Sequence, residues 1–328
     1  MSEQTTAVPA AKAVRRRITL GVAAGLIGVV SLVGIAYLSD MQRAYARVSG
    51  RTTVIPSPYG DIEYTEGGSG PDVLVIHGSG GGFDQGELLA QAFLGDDFHW
   101  IAPSRFGYLR STYHEGATFV DQAHAYAALL DQLGVEKVAV VTISHGGPSA
   151  LLFALLYPER VSSLTLLSTG VTAIDVGAQA QASQQGSMLA AIFKYDWLYW
   201  GVTKLFKPQF MELMGANDAV IAELTPGQRQ LVDRVIDEMN PVSLRSAGAA
   251  FDNRAAMPRD EIGGIRAPTL IIHATDDTLQ LFQNAEYAAA TIPGARLMRF
   301  DRGGHLLMAV EQPAIRTAVQ RHILDHHK

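Results

Sequence analysis

From residue 52 to the carboxyl end, short runs of β-branched and aliphatic residues alternate with longer stretches whose apolar residues recur at helical spacing. This alternation narrows the fold further than any other feature, because it is the pattern of an α/β domain: a mostly parallel sheet covered by helices on both faces. The runs are Thr53 to Pro56, Ile62 to Thr65, Val73 to Ile76, Trp100 to Ala102, Val138 to Val141, Leu164 to Leu167, Leu270 to Ile272 and Leu297 to Phe300, which predicts eight strands. Pro58, Tyr59 and Gly60 between the first two predict an antiparallel opening hairpin. Phe119 to Leu133 and Gly147 to Tyr157 are long enough to serve as right-handed crossovers.

Between Leu167 and Leu270 the chain has no strand-like alternation. The interval is too long for one crossover and too apolar for a linker, so an inserted helical cap is expected at about 171–260. Within it, Phe193, Tyr195, Trp197, Tyr199, Trp200, Phe206 and Phe210 crowd one short stretch. They either pack the cap's own core or form an apolar lid over a lipophilic acyl or ring-bearing substrate.

Ahead of this domain, Ile18 to Leu38 carries no charge and follows Lys12, Arg15, Arg16 and Arg17. As a helix it reaches roughly 30 Å, the thickness of a bilayer's hydrocarbon core. The segment divides into a basic tail at 1–17, a transmembrane anchor at 18–38 and a linker at 39–51, with the α/β domain at 52–328. A removed signal is the alternative reading, since Ala44-Tyr45-Ala46 has the small-x-small form of a cleavage site and Arg15-Arg16 resembles a twin-arginine signal. The arginine triplet abutting the apolar run favours a single-pass protein with its amino terminus inside and its domain outside the cytoplasm. Residues 1–51 hold seven of the 26 basic and two of the 32 acidic residues, leaving 19 basic against 30 acidic and a net charge of −11 beyond them. Nucleic acid is therefore not an expected partner. The absence of cysteine excludes disulfides, zinc–thiolate sites and a cysteine nucleophile.

Four motifs carry chemistry. Val138-Ala-Val-Val-Thr-Ile-Ser144-His-Gly-Gly147 runs a strand straight into a helix with a serine at the turn. A nucleophile there is exposed at the sheet's carboxyl end, with the amide of His145 and the helix amino terminus aimed at a developing oxyanion. Gly146 meets the need for a small residue downstream, but Thr142 stands where the G-x-S-x-G pattern has its first glycine. His77-Gly-Ser-Gly-Gly-Gly82 follows the third strand, and its glycines can present a second oxyanion donor from the amide of Ser79 or Gly80. A dinucleotide fingerprint is the competing reading of those glycines; its third glycine would fall at Phe83, and the motif lies on the wrong strand. His77 itself reads as a brace for the loop. His273-Ala-Thr-Asp276-Asp277 offers a carboxylate to orient a histidine, with Asp277 preferred and Asp276 in reserve. Asp301-Arg-Gly-Gly-His305 supplies that histidine on a glycine-freed loop, completing the chain order Ser, Asp, His.

Together these motifs resemble the α/β-hydrolase superfamily over roughly residues 52 to 325. Ala102 to Ser111 is similar to that family's P-x-x-x-G-x-G-x-S segment, with its second glycine replaced. The resemblance implies a catalytic triad of Ser144, Asp277 and His305, an oxyanion hole from Ser79 or Gly80 and His145, an acyl-enzyme intermediate, and no metal or organic cofactor. A serine nucleophile sets the chain apart from the aspartate-based dehalogenase and epoxide-hydrolase branches. The capped forms include carboxylesterases, lactonases and C–C bond hydrolases acting on ring-cleavage products. Hydrolysis of a small, lipophilic ester or lactone is the first expectation and C–C cleavage the second. A membrane-anchored, non-catalytic binding protein on the same fold is the reading from a different class. Oligomeric state is not legible, and the side chain of His145 reads first as a helix cap and second as a tuner of the oxyanion hole.

Overall fold

The eight predicted runs lie side by side in one sheet in the computed structural model, which describes residues 8–171 and 177–327. Residues 1–7 of the expected basic tail and 172–176 at the start of the expected cap lie outside the described residues. The strands are β1 (Thr53–Ile55), β2 (Ile62–Gly67), β3 (Asp72–Ile76), β4 (His99–Pro103), β5 (Val138–Ile143), β6 (Val161–Leu167), β7 (Thr269–Ala274) and β8 (Arg296–Phe300). Their order is β1-β2-β4-β3-β5-β6-β7-β8. The β1–β2 hairpin and the β2–β4 pair are antiparallel, and every other pair is parallel.

The exchange of β3 and β4 matters for chemistry. The chain leaves β3 to one side to make β4 and crosses to the other side to make β5, so a crevice opens at the carboxyl ends of β3 and β5. Ile76 pairs with Thr142 there, which sets the loop after His77 beside Ser144.

The chain divides after Arg47 into two units. The first holds most of α1 (Val8–Val48), in which Thr19–Val48 is long enough to cross a membrane and has an 18-residue window of mean hydropathy 2.2. Residues 39–48, expected as linker, continue this helix, because helix formers fill the stretch and no glycine or proline interrupts it before Gly50. Asp40 and Arg43 pair one turn apart within it.

In the second unit α2 (Phe83–Phe93), α3 (Phe119–Leu133) and α4 (Gly147–Leu156) follow β3, β4 and β5. Alternate residues of β3 face opposite sides. Leu74 and Ile76 pack with Phe119 and Leu151 in one core, while Val73 and Val75 pack with Leu88, Phe93 and Ile315 in the other. Each such side chain contributes roughly 1.5–3 kcal/mol on burial. Between β6 and β7 the described residues form no strand but the helices α5 (Gly177–Ile192), α6 (Asp196–Leu205), α7 (Lys207–Leu213), α8 (Asp218–Glu223), α9 (Pro226–Glu238) and α10 (Ser246–Asp252), with short 3₁₀ turns at Val242–Arg245 and Asp260–Gly264. This cap has an apolar core of its own around Tyr199, Phe210 and Ile236. The chain closes with α11 (Gln283–Thr291), α12 (Leu307–Val310) and α13 (Gln312–His326).

Candidate active site

Ser144 sits where β5 stops and a 3₁₀ turn leads into α4. Its φ is +53°, a left-handed conformation that costs a residue with a Cβ roughly 1–2 kcal/mol. The surroundings hold it there. A Cβ on Gly146 would lie 2.4 Å from Thr142 Oγ1 and 2.7 Å from the His77 carbonyl, and one on Gly78 would lie 3.0 Å from the Ser144 Cβ. Thr142 therefore occupies the room that a glycine leaves empty in the family pattern, and Gly146 yields to it.

Three of the predicted residues meet here. Ser144 Oγ lies 3.0 Å from His305 Nε2, and His305 Nδ1 lies 2.8 Å from Asp277 Oδ2. The amides of Leu279 and Gln280 donate to Asp277 Oδ1 at 2.9 Å each. Burial alone would raise the Asp277 pKa, but the charge of His305 and hydrogen bonds from His273 and His305 bring it down to about 2. Asp277 is thus an ionised acceptor for His305 Nδ1–H, which leaves Nε2 facing the serine. Asp276 does not join them. It accepts from the Gly304 amide at 2.7 Å and from Asn217 Nδ2 at 2.7 Å, while the His305 amide donates to the Gly215 carbonyl at 3.1 Å. Asp276 and the cap's turn at Gly215 brace the loop that carries His305.

The loop after β3 is braced from below. The Arg105 amide donates to His77 Nε2 at 2.9 Å, so the ring proton is on Nδ1, which donates to the Gly78 carbonyl at 2.7 Å. Burial above all, with Arg105 nearby, holds the His77 pKa well below 6.5 and keeps the ring neutral. Gly81 N–H returns to the Gly78 carbonyl at 3.2 Å, leaving Ser79 and Gly80 at the tip. Ser79 lies among the residues beside Ser144, whereas a Cβ on Gly80, whose φ is +75°, would strike Phe193 of the cap. His145 receives a hydrogen bond on Nδ1 from Gln280 Nε2 at 3.1 Å, and burial lowers its pKa, so it is neutral with its proton on Nε2.

Sequence reasoning missed the ties between this loop and the cap. Arg245 reaches the Gly81 carbonyl at 2.6 Å and grips both oxygens of Asp84 at 2.9 and 2.7 Å. Arg105 grips both oxygens of Asp252 at 2.6 and 2.7 Å, and Tyr108 donates to the same carboxylate at 2.5 Å. No local signal marks partners more than 140 positions apart.

Two pockets open on Ser144. One runs below α9 between Val232, Ile236 and Met308; the other runs towards α5 between Leu189, Phe193 and Phe210. Ser79, Met214, Met239 and His305 border both. Among the described residues lining them there is no Lys, Arg, Asp or Glu.

An open parallel sheet with a serine at its crevice, a histidine and a carboxylate on neighbouring strand ends, and a helical insert over them defines a class, and comparison with known proteins agrees. The chain belongs to the alpha/beta hydrolase fold family, whose profile matches residues 71–312. It is 29% identical over 272 residues to the uncharacterized hydrolase YcgS of Bacillus subtilis (strain 168), covering 80% of this chain and 95% of that one. It is 26% identical over 254 residues to a 2-hydroxy-6-oxo-6-phenylhexa-2,4-dienoate hydrolase of Burkholderia cepacia, covering 74% and 84%. Among solved structures, a thermophilic esterase from Thermogutta terrifontis superposes with a TM-score of 0.66 at 21% identity, over 85% of this chain and 100% of the other, which speaks for the fold. The protein is a hydrolase of this fold.

Proposed function

We propose that the chain is a serine hydrolase of lipophilic carboxylic esters or lactones, with Ser144 as nucleophile, His305 as general base and Asp277 as its orienting anion. The observation that carries this reading is the unbroken line from Asp277 through His305 to Ser144, ending where two pockets meet whose described lining residues include no Lys, Arg, Asp or Glu. His305 Nε2 takes the serine proton as Oγ attacks the ester carbonyl. The oxyanion is held by the amides of His145 and Ser79, the choice over Gly80 resting on Ser79's place beside Ser144. His305 then returns the proton to the departing alcohol. Water attacking the acyl-enzyme gives its proton to His305, and the collapse restores the Ser144 hydroxyl and releases the acid. Two pockets on either side of the serine suit an acyl chain and an alcohol. Cleavage of a C–C bond, the activity named for the Burkholderia relative, is the second reading. Its dienoate substrate carries a carboxylate, and among the described residues lining the two pockets there is no Lys or Arg, which favours the ester.

The test is hydrolysis of p-nitrophenyl esters of short and long acyl chain by the full chain and by Ser144→Ala. The variant is expected to lose roughly a thousandfold or more; equal rates for the two proteins would sink the reading. We also propose that the apolar helix remains as an anchor, with the domain outside the cytoplasm. The intact mass of the membrane-recovered protein checks retention of the helix, and a mature chain beginning at Arg47 would refute it. Proteolysis of intact cells checks the side.

A further inference from the structure

Helix α6 has a finished inner face and an outer face that is unlike the rest of the surface. At 100° per residue, Trp197, Trp200, Gly201, Lys204 and Leu205 share an arc of about 140°, with Tyr199 and Thr203 opposite. Burial follows that geometry: Tyr199 and Thr203 are buried, while Trp197 is 61% exposed and Leu205 75%. At the helix ends Tyr195 and Phe206 are 54% and 55% exposed, and the rings of Tyr195 and Trp197 lie 6.2 Å apart. Large apolar side chains gathered on one short helix mark a contact surface more than chance exposure does. Lysines are gathered there too: Lys194 and Lys204 are exposed beside Asp196, while Lys207 is paired with Asp233 and Asp237, in a domain whose net charge is −11.

We propose that this outer face of α6 rests on an anionic lipid bilayer. Tryptophan and tyrosine beside lysine are the side chains that settle at the boundary between headgroups and hydrocarbon, and lysine complements anionic lipid. The same chain carries a helix long and apolar enough to cross a bilayer ahead of the domain, so with that helix retained as the anchor proposed above, a bilayer is the apolar partner in reach. The inner face gives the contact a purpose. Tyr199 packs against Phe193 and Phe210, with ring centroids 5.6 and 5.3 Å away, and both phenylalanines line the α5-side pocket beside Ser144. The layer between lipid and pocket is one helix thick, which makes α6 the entry side for a fatty ester taken from the membrane. That last step rests on the function proposed above, whereas the docking does not.

The test uses the full chain reconstituted into phosphatidylglycerol vesicles with plain or brominated acyl chains, because bromine quenches only tryptophan that touches the lipid. With Trp197 and Trp200 on this face and Trp100 buried in the core, emission is expected to fall by up to about two thirds on brominated lipid, and Trp197→Phe with Trp200→Phe to abolish most of the difference. Equal emission in both vesicles, or a difference that the double variant leaves intact, overturns the proposal. Disulfide cross-linking of Leu205→Cys to itself would then assign the face to a second copy of the chain. As a second readout, Trp197→Glu with Leu205→Glu is expected to lower hydrolysis of a vesicle-embedded long-chain ester roughly tenfold. Hydrolysis of a soluble short-chain ester should stay unchanged. Quenching needs no turnover, so quenched but inactive protein would refute the functional reading alone.

Discussion

The two ends of the cap press on the same serine but are held by different physics. At the carboxyl end, Arg245 of the cap grips Asp84 of the core and Arg105 of the core grips Asp252 of the cap, all four buried. The pairs run in opposite senses, so each end of the joint contributes one cation and one anion. Burial works against the Arg105 charge, and Asp252 more than offsets it, holding the pKa above the usual arginine value. Burial, with Asp252 next, pushes Tyr108 well above the ordinary tyrosine range, so its hydroxyl remains a donor. At the α6–α7 end, Phe193, Tyr199 and Phe210 meet edge to face, with buried hydrogen bonds from Tyr199 to the Ile236 carbonyl at 2.6 Å and from Thr203 to the Tyr199 carbonyl at 2.9 Å. The half-buried Lys207 pairs with Asp233 and Asp237 at its rim. Forked ion pairs fix direction as well as distance. Apolar contact fixes only proximity. The oxyanion loop is tied to the first end and the substrate wall is built from the second, so the part that must hold a geometry is separated from the part that must accommodate a shape.

The largest way to break this contrast is Arg245→Met, which strands Asp84 as a buried charge and is expected to cost about 3–5 kcal/mol in urea unfolding. Adding Asp84→Leu should recover most of that loss, since a buried pair replaced by apolar groups is often neutral. A second test uses acid. His77 braces the loop at the pinned end and is held neutral, its folded pKa lying below the 6.5 of the unfolded chain. Below that pH the unfolded chain takes up a proton the folded chain refuses. Stability is therefore full above 6.5 and falls with decreasing pH, by up to about 1.4 kcal/mol per unit for this one group. Unfolding curves for wild type and His77→Gln between pH 7 and 5 check it: the variant should show the shallower slope, and parallel slopes would remove His77 from the account. Smallest of all, Tyr199→Phe at the other end is expected to cost about 1 kcal/mol, the net worth of one hydrogen bond. Were it to cost as much as Arg245→Met, the two ends would not differ in kind.

What could be read from the sequence is what the chain writes locally. Ser144 announces itself because β5, the turn and α4 are consecutive, and His305 because its glycines precede it directly. Asp276 and Asp277 are neighbours of one residue type, and only folding shows that one faces His305 and the other the Gly304 amide. Arg245 and Asp84 lie 161 residues apart, in stretches that otherwise read as an ordinary helix turn and a loop. The helix through residues 39–48 was hidden for another reason: end of hydrophobicity is not end of helix, and only Gly50 supplies a stop.

The left-handed backbone at Ser144 carries a consequence for how such a chain tolerates change. A glycine there would relieve the steric cost of φ +53° and abolish the nucleophile in the same stroke. Heat resistance and turnover then pull in opposite directions at a single codon, so a library sorted for folded protein alone would drift towards inert members, beginning at the residue on which the proposed chemistry depends.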